Sequence, residues 1–145
     1  MVIRSRNVWQ LFLTVSLLIA SVPGCQPPEP SGVTASGTVS VGKQPLSAAV
    51  ITLEPMRETT GPNASAAIFD GHFDFPPEAG LQGGSYRVRI SLIPAELRRS
   101  LPPEQAAKAP PPEAVIAPKY DGESQLNCQL TPGEPNTLTF TVEFL

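Results

Sequence analysis

Between Val33 and Val41 the chain alternates without a break. Val33, Ala35, Gly37, Val39 and Val41 take one side, and Thr34, Ser36, Thr38 and Ser40 take the other. A period of two suits a strand that buries one face and wets the other, and it excludes a helix over the same span. Gly42-Lys43-Gln44-Pro45-Leu46 interrupts the pattern with turn residues; Ala49, Ile51 and Leu53 resume it until Pro55 stops it. This predicts two strands joined by a tight turn and paired as one leaf of a sandwich. With 18 prolines and 11 glycines in 145 residues, long helices have little room, whereas short strands and turns suit such punctuation.

The same signature returns further along. Asn63 to Asp70 reads as a third strand, Asp70-Gly71 as a hairpin turn, and His72 to Phe75 as the return strand, halted by Pro76-Pro77. Ser85 to Ile93 sets Tyr86, Val88, Ile90 and Leu92 against Arg87, Arg89 and Ser91. Leu126, Cys128 and Leu130 mark a sixth strand, with Cys128 on the inward face, and Leu138, Phe140, Val142 and Phe144 mark a seventh. The expectation is an all-β, seven-stranded antiparallel sandwich over 33–145, its core drawing on Val88, Ile90, Phe140 and Val142. Pro94 to Ala117 breaks the rhythm. It is rich in proline and poor in large apolar residues, so it is expected to lie outside the core as a mobile loop.

Ahead of the sandwich, Arg4 and Arg6 precede an apolar run from Val8 to Ala20. That run is too short for a bilayer, which takes about 20 helical residues, but it fits an export signal. Ser21-Val22-Pro23-Gly24-Cys25 follows and resembles the bacterial lipobox, in which a small residue precedes a cysteine that is acylated and freed by cleavage. Pro23 departs from the usual pattern, and an ordinary secretory signal or an uncleaved anchor also suits the run. On the lipobox reading, residues 1–24 are a signal peptide and Cys25 is the lipidation site. Residues 25–32, with Pro27, Pro28 and Pro30, form an extended tether that cannot pack. Cys128 is then a single, buried, inert thiol; a Cys25–Cys128 disulfide is open only without lipidation.

The order of the pieces carries a further resemblance. Gly37-Thr38-Val39, Gly42-Lys43-Gln44-Pro45-Leu46, Ala49-Val50-Ile51-Thr52-Leu53, Phe69-Asp70-Gly71-His72-Phe73 and Gly84-Ser85-Tyr86-Arg87-Val88 together resemble the carboxypeptidase regulatory-like family. That resemblance implies a transthyretin-like or immunoglobulin-like sandwich, often found in small bacterial envelope lipoproteins. Pro118-Lys119-Tyr120 is similar to a segment of such lipoproteins. The resemblance covers Val33 to Leu145 without the 94–117 insertion, and it imports no peptidase, whose zinc domain is separate in enzymes that carry this module. The hydroxyisourate hydrolase branch of transthyretin-like folds uses several histidines and a tyrosine-arginine-glycine-serine tail. This chain has one histidine and ends Thr141-Val142-Glu143-Phe144-Leu145, so that activity is not carried over.

Chemistry is sparse. His72 stands alone, so neither a histidine zinc set nor a Ser-His-Asp triad chosen from several candidates is expected. Asp70, Asp74, Asp121 and Glu123 lack the spacing of a calcium loop and read as solvated turn carboxylates. Arg87 and Arg89, with Arg98 and Arg99 beyond, suit either an exposed sheet face or a small anion or acidic partner. Asn63-Ala64-Ser65 matches a glycosylation sequon that a bacterial lipoprotein would not use in the eukaryotic way. Beyond residue 24, eight basic residues face thirteen acidic ones, a net charge of −5, which argues against nucleic acid as a partner. No cofactor, metal or catalytic residue is expected.

These readings predict a non-enzymatic, lipid-anchored structural or binding module of the bacterial cell envelope, held to a membrane and facing an envelope protein or polysaccharide. Gln26, rather than Asp, follows the cysteine and favours the outer membrane. The alternative is a small ligand-binding or hydrolytic envelope protein that uses the 94–123 loop as a lid, with Asp74, Glu123 or Tyr120 beneath it.

Overall fold

The computed structural model describes residues 32–145, and there the alternating segments become strands close to where the pattern puts them. These are β1 (Ala35–Val41), β2 (Gln44–Pro45), β3 (Ala49–Pro55), β4 (Ala64–Ile68), β5 (His72–Phe75), β6 (Gly84–Leu92), β7 (Asn127–Leu130) and β8 (Asn136–Val142). One sheet is built on β1, with β8 along one edge and β5 followed by β2 along the other. The second sheet has the order β4-β3-β6-β7. The chain is therefore an all-β sandwich. Its inner faces meet where Ala35, Val39, Phe73, Phe75 and Val142 pack with Ile51, Leu53, Ile68, Val88, Ile90 and Leu130.

Two glycines explain how close the elements come. At the β4–β5 turn both Asp70 (φ 50) and Gly71 (φ 77) take left-handed conformations, and Phe69 and His72 exchange backbone hydrogen bonds of 3.0 and 2.9 Å. That is the tight two-residue hairpin which Asp-Gly favours. In β1, a Cβ on Gly37 would collide with the carbonyl oxygen of Leu138 and stand 2.9 Å from Cζ of Phe73. Gly37 thus lets β8 and the Phe73 ring close on β1 from two sides.

The strand plan differs from the sequence expectation in three ways. β1 and β3 are not one leaf: they belong to different sheets. Leu46, Ser47, Ala48 and Ala49 are all buried as the chain crosses between sheets, with Ala48 at φ 53, and only the two-residue β2 folds back on β1. Second, β8 runs parallel to β1, from Ala35 opposite Asn136 to Val41 opposite Val142. The 131–135 turn returns the chain to the other sheet, where β8 lies beside β1 and points the same way. Third, Val88, Ile90 and Val142 are buried, but Phe140 is only half-buried because it sits on the edge strand β8, where it stacks on Phe73 at 6.4 Å between ring centroids.

The 94–117 insertion also departs from expectation, for its ends belong to the packed structure. It forms α1 (Ala95–Arg98) and α2 (Pro103–Ala107) and returns through Ile116, which enters the core at 6% exposure. Ala117 donates to the Glu143 carbonyl and Leu145 to that of Val115, so this return extends the end of β8. Most of 102–113 does stay outside the core. The polarity of the sandwich follows from its registers. The chain enters at Val33, which donates to Leu81 beside the start of β6, whereas the Asp70-Gly71 turn, the insertion and the end of β8 gather at the opposite end.

Candidate functional site

The polar groups that the fold brings together lie on the outer face of the second sheet. β3 continues its alternation one step past Thr52 to Glu54, and its register sets Glu54 opposite Arg87 and Thr52 opposite Arg89 on β6. Both guanidinium groups reach the Glu54 carboxylate: Arg87 Nε donates at 2.8 Å and Arg89 Nη1 at 3.1 Å. Arg89 Nη2 turns away to Asp121 Oδ1 at 2.8 Å. Arg87, and then Arg89, hold the Glu54 carboxyl below the usual carboxylate range, although partial burial opposes them. Asp121 and then Glu54 push the Arg89 guanidinium still higher. The row ties the segment after Pro118–Tyr120, a single 3₁₀ turn, to the middle of the sheet. Ser124, buried at 6%, completes the attachment by donating to the Val88 carbonyl.

A second constellation stands on the insertion. Arg98 closes α1 and is 8% exposed. Its Nη1 donates to the carbonyls of Pro110 and Pro111 at 2.7 and 2.9 Å, and its Nη2 to that of Pro112 at 3.3 Å. Three successive prolines have no N–H to offer a neighbouring strand or helix, but their carbonyls still seek donors, and one planar guanidinium supplies them. Lys108, at the end of α2, reaches Asp70 Oδ2 at 3.0 Å and links the insertion to the hairpin turn.

The other residues singled out in the sequence are scattered. Cys25 lies outside the described residues. His72 and Asp74 are exposed on the outer face of the first sheet, opposite Thr38 and Ser36. Tyr120 is half-buried against the core, and Lys119 lies 4.9 Å from its ring centroid while pairing with Glu143 at 2.6 Å. Glu123 is exposed, as is Arg99. Cys128 faces inward as expected but is only half-buried on the edge strand β7, and burial pushes its thiol up to about 11. At neutral pH such a thiol is protonated and a poor nucleophile. Among the described residues no group of three or more His, Cys, Asp or Glu side chains could hold a metal ion.

Among the described residues, none of four clefts is lined by Asp74, Glu123 or Tyr120. The three residues proposed to work beneath a lid are therefore not gathered in any of these clefts. Two features escaped the sequence reading. The Glu54–Arg87–Arg89–Asp121 row was legible only in Arg87 and Arg89, which share a face of β6; Glu54 lies past Leu53, the last patterned position of β3, and its pairing needed the β3–β6 register. The role of Arg98 had no sequence signal, because the prolines it holds are twelve to fourteen positions away.

Fold and surface together define a two-sheet β-sandwich with an Arg-braced insertion at the end away from its entry. Compared with protein-family models, curated proteins and solved structures, the chain matches none. Among the described residues no helix is long and apolar enough to cross a membrane.

Proposed function

We propose that the protein is a non-enzymatic module of the bacterial cell envelope, acylated at Cys25 and held by the 25–32 tether. It presents its sandwich to an envelope protein or polysaccharide. The observation that carries this reading is the polarity of the domain. The chain enters at Gly32–Val33, while the insertion, the Asp70-Gly71 turn and the end of β8 occupy the other end. An anchor a few residues before Val33 would point those elements away from the membrane. Stable attachment needs more than one acyl chain, at about 0.8 kcal/mol per buried methylene, which a lipidated amino-terminal cysteine supplies. The carboxypeptidase regulatory-like resemblance belongs to the same proposal.

The test is mass spectrometry of the mature amino terminus together with membrane fractionation. The expected product begins at acylated Cys25 and sediments with membranes, and Cys25→Ala leaves a precursor or releases the domain. An unmodified product that starts elsewhere and stays in the soluble fraction overturns the anchor. Fractionation also decides between outer and inner membrane; with Gln26 after the cysteine, the outer membrane is expected.

A further inference from the structure

Arg98 has more to offer than its proline carbonyls use. A guanidinium carries five N–H groups. Nη1 spends both of its own on Pro110 and Pro111, and Nη2 spends one on Pro112. Nε is buried without any hydrogen-bond partner. Nε is also closed to solvent, so what Arg98 offers its surroundings is chiefly charge. Among the described residues Arg98 forms no ion pair, so a positive charge that is nine-tenths buried has only carbonyl dipoles against it. A buried charge in that state favours the arrival of an anion.

Beside it is a place for one. A cleft of about 300 Å³ is lined by Arg98 and Arg99 and walled by Ala95, Ala106, Ala109 and Pro110. Two adjacent arginines line one hollow, no acidic residue lines it, and its remaining walls are small and apolar. A second cleft lined by Arg98 includes Asp121, whose carboxylate repels an anion, so the charge selects the first. We infer that this cleft, between α1, α2 and the 110–112 prolines, binds a small carboxylate borne on a short aliphatic body. Arg99, exposed at the rim, grips the carboxylate, the unneutralised charge of Arg98 in the wall draws it in, and the alanine and proline walls take the hydrocarbon. The site uses only residues 95–112, so it stands or falls independently of acylation at Cys25.

The probe is sodium hexanoate, titrated into the full chain in a neutral detergent and followed through the arginine Nε–H signals by NMR. Saturable shifts of the Arg98 and Arg99 signals are expected, with none from hexanamide and only weak ones from inorganic phosphate. Arg99→Gln, at an exposed position that leaves the fold intact, should weaken binding at least tenfold. Arg98→Lys keeps the charge but loses the planar fork that holds the Pro110–Pro112 wall of the cleft, and should weaken it comparably. The inference is overturned if hexanoate leaves both signals unmoved, if hexanamide or phosphate binds as well as hexanoate, or if Arg99→Gln binds undiminished. Should Arg98→Lys loosen the insertion, the wild-type signals and Arg99→Gln alone decide.

Discussion

Glu54 shows what one residue does when two strands place it between two cations. Its side chain is 16% exposed, against 49% and 39% for Arg87 and Arg89, so solvent screens the arginines more than the carboxylate they share. Because Arg87 and then Arg89 lower the Glu54 pKa in the folded state, folding favours its ionised form. Such a group contributes fully above its unfolded pKa, about 4.3 for glutamate, and the contribution vanishes as pH falls through the lower folded value. Glu54→Gln should therefore cost about 0.5–1 kcal/mol at neutral pH, the scale of a well-placed exposed pair. Urea denaturation repeated at falling pH should show wild type and variant converging once the pH passes below the carboxylate range. A gap that persists in acid would mean that the glutamine lost packing rather than charge. The sequence pattern sets Ala49, Ile51 and Leu53 inward and gives Glu54, which follows them, no face of its own. That it meets Arg87 rather than solvent depends on a strand thirty residues away, and only the register fixes that.

At the scale of elements, the strands were legible and their partners less so. Alternation in β1, β3, β6 and β8 reports burial of one face, which is local information, and Asp70-Gly71 specifies its turn by chemistry that needs no tertiary help. Whether β3 stays beside β1 or crosses to the facing sheet is decided by how Leu46 to Ala49 bury, and a short apolar run of this kind reads alike in either case. The insertion is the clearest instance. Its proline density and scarce large apolar residues point to a loop outside the core, and most of 102–113 obeys. Arg98 and Ile116 nevertheless pack inward. Replacing Leu101 to Pro112 with a short Gly/Ser linker removes the acceptors of a buried guanidinium, at a cost of about 1–3 kcal/mol. Loop closure itself changes little, since it depends only weakly on length. Adding Arg98→Ala to the linker variant should recover most of that loss, and a thermal-melt double-mutant cycle measures the coupling. Additive effects would show that Arg98 and the prolines do not act as a unit.

On the scale of the whole molecule, the anchored reading makes the sandwich a strut between its entry point and its insertion. β1, seven residues long, spans about 23 Å at 3.3 Å per residue. A strut transmits position only if its two sheets do not separate, and here the core belongs to both. Phe73 on β5 and Ile90 on β6 lie in one continuous cluster with Val142 of β8 and Leu130 of β7. Neither sheet has a second apolar face to bury alone, because the outer faces carry Thr, Ser, Glu and Arg. Phe73→Ala and Ile90→Ala, one in each sheet, should then each cost about 2–5 kcal/mol, and both should lower the urea midpoint of the entire domain without changing the slope of the transition. Amide NMR signals from β1 and from β6 should disappear together in either variant. Separate midpoints for the two sheets would mean that the domain bends or opens between them. An anchor ahead of Val33 would then no longer fix where the insertion and its arginine cleft are held.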